Sequence, residues 1–237
     1  MNEDSSRITR RSAMIGGATL LAGCAISRSD DRVVHRDDFT HGLDQWVIEA
    51  EKPGRVEGAG GFLDIEMPAG ATLWFRHALE SPVAIEYDAM AVSAGGPYDT
   101  VSDLNCFWMA TDPRAPGGDV LARTRSGAFA DYDELRTYYA GIGGNRNTTT
   151  RFRRYIGERS NRPLLPEHDL SAPEALLVPN RWTRIRLAVD GPHVSLQRDG
   201  RPLFELGDPE PYLRGHFGLR TTWSHLRIAN FRVLRLV

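Results

Sequence analysis

The chain has 237 residues, of which 41% are hydrophobic and 25% are charged, and its formal net charge is −2. This composition is typical of a globular protein, and the length suits a single all-β domain preceded by a leader. A net charge this close to zero gives no field that would recruit nucleic acid or an acidic membrane surface, so nucleic acid is excluded as a partner.

The first residues predict an exported lipoprotein. Arg10 and Arg11 precede a short, weakly apolar run, which is the layout of a twin-arginine signal. The run ends in Leu21-Ala22-Gly23-Cys24, which resembles the bacterial lipobox. We therefore expect a signal peptide over residues 1–23, a lipid on Cys24, a tether over residues 24–34, and a periplasmic or cell-surface protein that its lipid alone holds at a membrane.

Short strands follow one another from residue 35 onward. Apolar and polar residues alternate over residues 61–67 and 83–89, as in half-buried strands, and residues 103–110 form a more apolar strand. Cys106 lies in this apolar strand, so we predict a buried structural thiol rather than a nucleophile. Residues 111–133, rich in proline, glycine and alanine, indicate a long loop over one edge.

The second half continues the same pattern. A proline-rich excursion over residues 157–179 precedes two strands. Asp199-Gly200 follows the second of these strands and predicts a hairpin with a type I′ turn. Two more strands close the chain, and no repeat or amphipathic helix is evident. These features predict an all-β fold, a two-sheet antiparallel jelly-roll sandwich that forms one domain over residues 35–237.

Several motifs resemble the concanavalin A-like lectin/glucanase superfamily. They are Phe39…Gly42-Leu43…Trp46, the Trp182 strand with the Asp199-Gly200 hairpin, and Phe217-Gly218-Leu219-Arg220…Asn230-Phe231-Arg232-Val233. Two blocks, residues 143–155 and Arg220-Thr221-Thr222…His225, also resemble an uncharacterised bacterial branch associated with polysaccharide degradation. The resemblance implies a carbohydrate ligand, but the superfamily includes lectins, hydrolases and lyases alike.

No cofactor or metal site is predicted. Glu167-His168-Asp169 offers ligand types at consecutive positions, which rarely converge on one ion, and His168 is more typical of a solvated loop histidine. Asp99, Asp103 and Asp112 show no calcium-loop motif, although the resemblance leaves a structural calcium open.

The stretch from Tyr138 to Tyr155 combines aromatic, amide, hydroxyl and guanidinium groups between two strand-like flanks. In a strand over residues 148–155, Thr149, Arg151, Arg153 and Tyr155 share one face, and Phe152 lies on the other. Guanidinium groups pair bidentately with carboxylates, and a phenol can stack or transfer a proton. This face therefore suits an acidic polysaccharide or oligosaccharide.

A polysaccharide lyase that cleaves beside a uronic acid is the leading hypothesis. β-Elimination requires neutralisation of the carboxylate, a base for the C5 proton and an acid for the leaving oxygen. Arg151, with Asn145 or Asn147, would neutralise the carboxylate, Tyr139 or Tyr155 would be acid or base, and His225 would be the alternative base. The further substrate-binding candidates are Thr149, Arg153, Arg220 and Trp223.

Three alternatives remain open from the sequence. The arginines of the stretch could pair with Asp131, Asp133 or Glu134 at a sheet edge, and residues 145–147 could be only a tight turn. The domain could bind carbohydrate without catalysis. A glycoside hydrolase could use Glu86 and Asp88, but the superfamily's Glu-x-Asp-x-x-Glu pattern lacks its final glutamate here, and a solvated outer strand explains both carboxylates.

Overall fold

The computed structural model describes residues 31–237, so the predicted signal peptide and Cys24 lie outside the described residues. In chain order the strands are β1 Arg32–Asp37, β2 Trp46–Ala50, β3 Arg55–Ala59, β4 Phe62–Met67, β5 Ala71–Phe75, β6 Leu79–Glu80, β7 Val83–Ala91, β8 Leu104–Thr111, β9 Arg136–Gly143, β10 Thr149–Ile156, β11 Asp169–Leu170, β12 Thr183–Asp190, β13 His193–Arg198, β14 Arg201–Gly207, β15 Arg214–Thr221 and β16 Ser224–Arg235. Within residues 31–237, helical structure is limited to single turns of three or four residues.

The strands form two antiparallel sheets of eight strands each, which confirms the predicted jelly-roll sandwich. Sheet I has the order β14-β13-β12-β7-β16-β4-β3, with β1 also paired to β16, and sheet II has the order β11-β10-β9-β8-β15-β5-β2, with β6 also paired to β15. Because β1 begins at Arg32, the predicted tether of residues 24–34 ends inside a strand. None of the described residues form a helix long and apolar enough to cross a membrane.

The main core lies between the sheets and follows from the period of two along each strand. On β4, Leu63, Ile65 and Met67 are buried in this core, whereas Asp64 and Glu66 point away from it. Cys106 is fully buried there, and burial raises the pKa of its thiol to about 12, as expected of a structural cysteine. Asp199 and Gly200 both have positive φ, which confirms the type I′ hairpin between β13 and β14.

A second cluster forms on the outer face of sheet II, where the segment of residues 112–135 packs on the sheet. Tyr132 of this segment stacks on Phe107 of β8 with ring centroids 5.5 Å apart. The prediction of a loop over one edge is therefore wrong, because the aromatic side chains of the segment bury themselves on the face of the sheet. We call residues 112–135 the cover segment.

Buried charges hold the cover segment in place. Glu49 on β2 accepts hydrogen bonds of 2.9 Å from Trp74 Nε1, Tyr132 Oη and the backbone N–H of Arg125. The guanidinium of Arg125 lies 2.6 Å from Asp112, and both side chains are almost completely buried. Each charge in this network has a partner, which is the condition under which buried ions are tolerated.

His168 differs from its prediction as a solvated loop histidine. It is buried against Phe152 and Phe204, with ring centroids 4.8 and 5.6 Å away, and its Nε2 lies 3.1 Å from the carbonyl oxygen of Glu205. The excursion that contains it folds back over the edge of the sandwich, and hydrophobic burial of the imidazole outweighs the polarity of its sequence neighbours.

We predict that Arg125→Met destabilises the domain by about 3 kcal/mol or more, because it removes the guanidinium beside the buried Glu49 and the 2.6 Å partner of the buried Asp112, which keeps only the partly exposed Arg114 at 3.0 Å and Arg123 at 3.9 Å. Arg181→Met is the matched control, since Arg181 pairs with Asp199 at 2.7 Å on the surface and its side chain is 59% exposed. This control should cost less than about 1 kcal/mol. Urea unfolding measures both, and equal losses would contradict the anchoring role of Arg125.

Candidate functional site

The predicted alternation of side chains between the two faces of β10 is confirmed. Phe152 is buried in the core between the sheets, whereas Arg151 and Arg153 point to the outer face of sheet II. On the neighbouring strand, Gly141 is the register partner of Arg151, and Tyr139 is the partner of Arg153. One strand further, Asn105 pairs with Gly141, and Phe107 pairs with Tyr139.

Five of these residues form what we call the β8–β10 strip: Asn105, Tyr139, Gly141, Arg151 and Arg153. Gly141 lies at its centre, where the absence of a side chain lets its neighbours approach the backbone: a Cβ atom there would lie 3.0 Å from Tyr139 Oη and 3.2 Å from Asn105 Oδ1. Asn105 Nδ2 donates to Asp103 Oδ1 at 3.1 Å, but its buried Oδ1 has no hydrogen-bond partner among residues 31–237. The strip thus holds a largely buried amide oxygen whose hydrogen bond is not made by any of the described residues.

Tyr139 is 7% exposed, and its ring packs under Phe129 of the cover segment with centroids 5.7 Å apart. Within the described part of the chain its hydroxyl makes no hydrogen bond. Burial raises the pKa of Tyr139 well above its ordinary value, and the nearby Tyr155 raises it further. Tyr139 therefore remains protonated at neutral pH, which makes it a hydrogen-bond donor or general acid rather than a base.

The two arginines of the strip differ in how their charge is compensated. Arg151 Nε and Nη2 pair bidentately with Asp169 on β11, at 2.7 and 3.1 Å. Asp169 is therefore the partner of Arg151, in place of the acidic residues 131–134. Arg153 donates to the carbonyl oxygen of Arg162, and none of the described carboxylates lies within salt-bridge distance of it. Burial lowers the pKa of the Arg153 guanidinium, which is consistent with an uncompensated charge.

Two other predicted residues lie on the same face but beneath the cover segment. Arg220 is 3% exposed; it donates to Thr72 Oγ1 at 2.9 Å, and its guanidinium lies 4.7 and 4.9 Å from the Tyr132 and Phe129 ring centroids. Tyr155 is fully buried in the same cluster. The cover segment lies over both side chains, and the guanidinium of Arg220 already donates to Thr72 and to the Gly127 carbonyl oxygen, so the roles predicted for Arg220 in substrate binding and for Tyr155 in catalysis are not supported. The sequence did not reveal this because the cover segment was expected elsewhere.

The hairpin between β9 and β10 is strained. Asn145, Arg146 and Asn147 all have positive φ, which costs a residue other than glycine about 1–2 kcal/mol. Asn147 exchanges hydrogen bonds of 2.9 and 2.8 Å with the backbone of Leu177, so its amide is structural. Asn145 donates to Thr149 Oγ1 at 3.1 Å at the exposed tip. The prediction that Asn145 or Asn147 helps Arg151 with a carboxylate has no support in these contacts.

His225 is not part of the strip. It lies on β16 in sheet I, opposite Glu66 of β4, and points away from the core. Its Nε2 lies 2.7 Å from Asp64, and its Nδ1 lies 2.8 Å from Asp99. The prediction that His225 joins Tyr139 and Arg151 in one cleft is wrong, because β16 pairs within sheet I although the strand before it, β15, belongs to sheet II. Trp223, in the turn between these strands, is 59% exposed.

The carboxylate pair of the hydrolase hypothesis lies on the outer face of sheet I. Glu86 contacts Arg186 and Arg232, and Asp88 pairs bidentately with Arg184 at 2.8 and 3.1 Å. Although burial raises the pKa of Glu86, the hydrogen bonds from its two arginines outweigh it and lower the pKa overall. Neither group has the raised pKa that a general acid requires. The carboxylates lie on an outer face as expected, but Glu86 is buried under its arginines and is not solvated.

Sequence analysis missed Asn105. Its signal is the period of two along β8, which places Asn105 and Phe107 on one face. That signal becomes informative only when β8 is known to lie beside β9, since the adjacency brings Asn105 next to Gly141 and Tyr139.

The fold is a galectin-like or concanavalin A-like β-sandwich. The strip places polar groups on one of its outer sheet faces. Residues 65–231 match the model of a family described as a domain of unknown function, DUF6250, and the chain belongs to this family. A search of curated protein sequences finds no match.

Solved structures share the fold at low sequence identity. A Bacillus subtilis protein of unknown function with a galectin-like fold has a TM-score of 0.65 and 16% identity, covering 87% of this chain and 100% of that one. The carbohydrate-binding module CBM66 from Bacillus subtilis has a TM-score of 0.55, 11% identity and coverage of 81% and 96%. An endo-β-1,3-glucanase from Pyrococcus furiosus has a TM-score of 0.58, 11% identity and coverage of 87% and 95%.

We predict that Tyr139→Phe changes the free energy of unfolding by less than about 0.5 kcal/mol, because its hydroxyl has no protein partner among the described residues. Tyr138→Phe is the matched comparison, since Tyr138 Oη donates to Asp208 at 2.7 Å and accepts from the Tyr212 backbone N–H at 3.1 Å. That change should cost about 1–3 kcal/mol by leaving buried partners unsatisfied. Chemical denaturation distinguishes the two, and a larger loss for Tyr139→Phe would mean that its hydroxyl is structural.

Proposed function

We propose that the chain binds acidic oligosaccharides on the outer face of sheet II, at the β8–β10 strip. The observation that carries the proposal is the set of unused polar groups around Gly141. These are Asn105 Oδ1, which is buried without a partner in residues 31–237, the Tyr139 hydroxyl, and the Arg153 guanidinium. Sugar hydroxyls donate to amide oxygens and accept from phenols, and a uronate carboxylate pairs with guanidinium.

The charge of the strip favours a uronate over a neutral sugar. Asp169 compensates Arg151, so the anionic group of the ligand meets Arg153, whose guanidinium retains donors for a carboxylate. Phe129, which is partly exposed and packs on Tyr139, adds aromatic surface beside it, on which the apolar face of a sugar ring packs. The fold supports carbohydrate as the ligand class, because a carbohydrate-binding module and a glucanase share it, although fold alone does not assign function.

A lyase reaction on the same strip is the second candidate. It is favoured by the unpartnered Tyr139 hydroxyl beside an amide and a guanidinium, which would donate a proton to the leaving oxygen while Arg153 neutralises the carboxylate. A lyase also needs a base for the C5 proton. Tyr139 is held protonated, and His216 on this face is already engaged, since it lies 3.0 Å from the Phe75 carbonyl oxygen and 3.3 Å from Asp119. Binding without catalysis is therefore the leading proposal.

The export signal and the lipid on Cys24 remain predictions. With them, we propose that the domain meets its glycan outside the cytoplasm, at a membrane to which the lipid alone anchors it.

Titration calorimetry with a uronate oligosaccharide and its carboxyl-reduced counterpart tests the proposal. We expect binding of the acidic form only, and an affinity about 10- to 150-fold lower for Arg153→Gln, since a hydrogen bond to a charged group contributes about 1.5–3 kcal/mol. Arg184→Gln is the matched control, because Arg184 pairs with Asp88 on sheet I. Equal affinity for both sugars, or equal loss in both variants, would contradict the proposal.

A second variant and a product assay separate binding from catalysis. Gly141→Ala places a methyl group against Tyr139 and Asn105, so it should weaken binding without removing a charge. If the wild-type chain instead generates the ultraviolet absorbance of an unsaturated uronate, and Tyr139→Phe abolishes that product while retaining affinity, the lyase replaces the binding-only proposal.

A further inference from the structure

A group of possible metal ligands lies on the outer face of sheet I, on the other side of the sandwich from the strip. Glu66 on β4, Asp99 in the loop before β8 and His225 on β16 each offer one ligand atom, and these atoms lie within 4.8 Å of one another. One imidazole nitrogen and two carboxylate oxygens are ligands that Zn²⁺ accepts in proteins. We propose that Glu66, Asp99 and His225 bind one Zn²⁺ ion, with a fourth position open to water.

The second nitrogen of His225 is arranged as in known zinc sites. Its Nε2 lies 2.7 Å from Asp64 Oδ1, so this nitrogen donates to a carboxylate and Nδ1 is directed at Asp99. Metal-bound histidines almost always donate their other N–H to a carboxylate, a carbonyl or water, which fixes the ring and its tautomer. Asp64 is itself held by Arg55 at 2.6 Å and Arg227 at 3.1 Å.

Two of the three ligand atoms are already close to the separation that a shared ion requires. Nδ1 of His225 and Oδ1 of Asp99 are 2.8 Å apart, which is a hydrogen-bond distance. Ligand bonds of about 2.0–2.2 Å in a tetrahedral shell require about 3.3 Å between such atoms. A shift of about 0.5 Å therefore replaces the shared proton by the metal.

The charge balance of the cluster also favours a divalent cation. Glu57, Asp64 and Glu66 contact two guanidinium groups, of Arg55 and Arg227, at 3.6 Å or less, and a fourth carboxylate, of Asp99, joins the cluster through His225. Once the ion replaces the proton on Nδ1, His225 is neutral, and the four carboxylates carry two negative charges that the guanidinium groups do not compensate. One Zn²⁺ ion neutralises them at a site where partial burial strengthens the attraction.

The ligands are positioned before any ion binds. The Asp99 side chain is 5% exposed, and its Oδ2 accepts from the backbone N–H groups of Ala94 and Gly96 at 2.6 and 2.9 Å. The Glu66 side chain is 18% exposed, which provides a path for the ion and for the water ligand. A bound ion would tie the loop of residues 92–103 to sheet I, and it would stabilise the folded state by mass action.

Calorimetric titration of the purified full-length chain with Zn²⁺, after treatment with chelator, tests the site. We expect one ion per chain, and a rise in melting temperature with Zn²⁺. Asp99→Asn should weaken the affinity at least 100-fold, and Asp64→Asn should weaken it 10- to 100-fold through the orientation of His225. Asp88→Asn is the matched control on the same sheet face, and it should retain full affinity.

A blue Co²⁺ derivative whose visible absorption disappears in His225→Gln would identify the imidazole ligand. If this variant does not fold in chelator, Glu66→Gln removes a ligand from the more exposed side and must show the same loss. Failure to bind Zn²⁺ stoichiometrically, equal weakening by Asp88→Asn and Asp99→Asn, or tighter binding of Ca²⁺ than of Zn²⁺ would overturn the proposal. Glycan binding is measured on the opposite sheet, so the two proposals fail independently.

Discussion

The buried ion network beneath the cover segment is the interaction on which the chemistry of sheet II depends. Glu49 and Asp112 hold Arg125, and Glu49 also binds the Tyr132 hydroxyl directly, which fixes the cover segment on the outer face of the sheet. Without this anchor, the whole face from β2 to β10 would be open to solvent. With it, Arg220 and Tyr155 lie beneath the cover segment, which leaves the β8–β10 strip as the proposed ligand site. A stabilising network thus decides which of several suitable side chains can act.

Local features of the fold could be predicted from the sequence because they depend on neighbouring residues. The alternation on β10 predicted that Phe152 faces the core and that Arg151 and Arg153 face outward, and the Asp199-Gly200 turn predicted its hairpin. Both depend on backbone geometry over two to four residues. The all-β sandwich followed for the same reason, since many short alternating strands have few other ways to bury their apolar faces.

The composition of the site depended on sheet order, which no local pattern encodes. His225 follows Arg220 by five residues, yet the two side chains belong to different sheets because the chain crosses between β15 and β16. Asn105 is distant in sequence from Tyr139, yet register places it beside Gly141. Such long-range adjacency is decided by packing of the whole sandwich, so candidate residues could be named from the sequence more easily than they could be grouped.

The two outer faces show why arginine content by itself says little about function. On sheet I each arginine near Glu86 and Asp88 has a carboxylate, so the face is a lattice of ion pairs with little capacity left for an anion. On sheet II, Arg151 is compensated in the same way, and Arg153, two residues further on the same strand, is not. An arginine recognises a substrate carboxylate well only when the protein has not already satisfied it, because exchange of one carboxylate for another gains little. The difference between these two neighbouring arginines is therefore the strongest physical reason to place an acidic ligand at the strip.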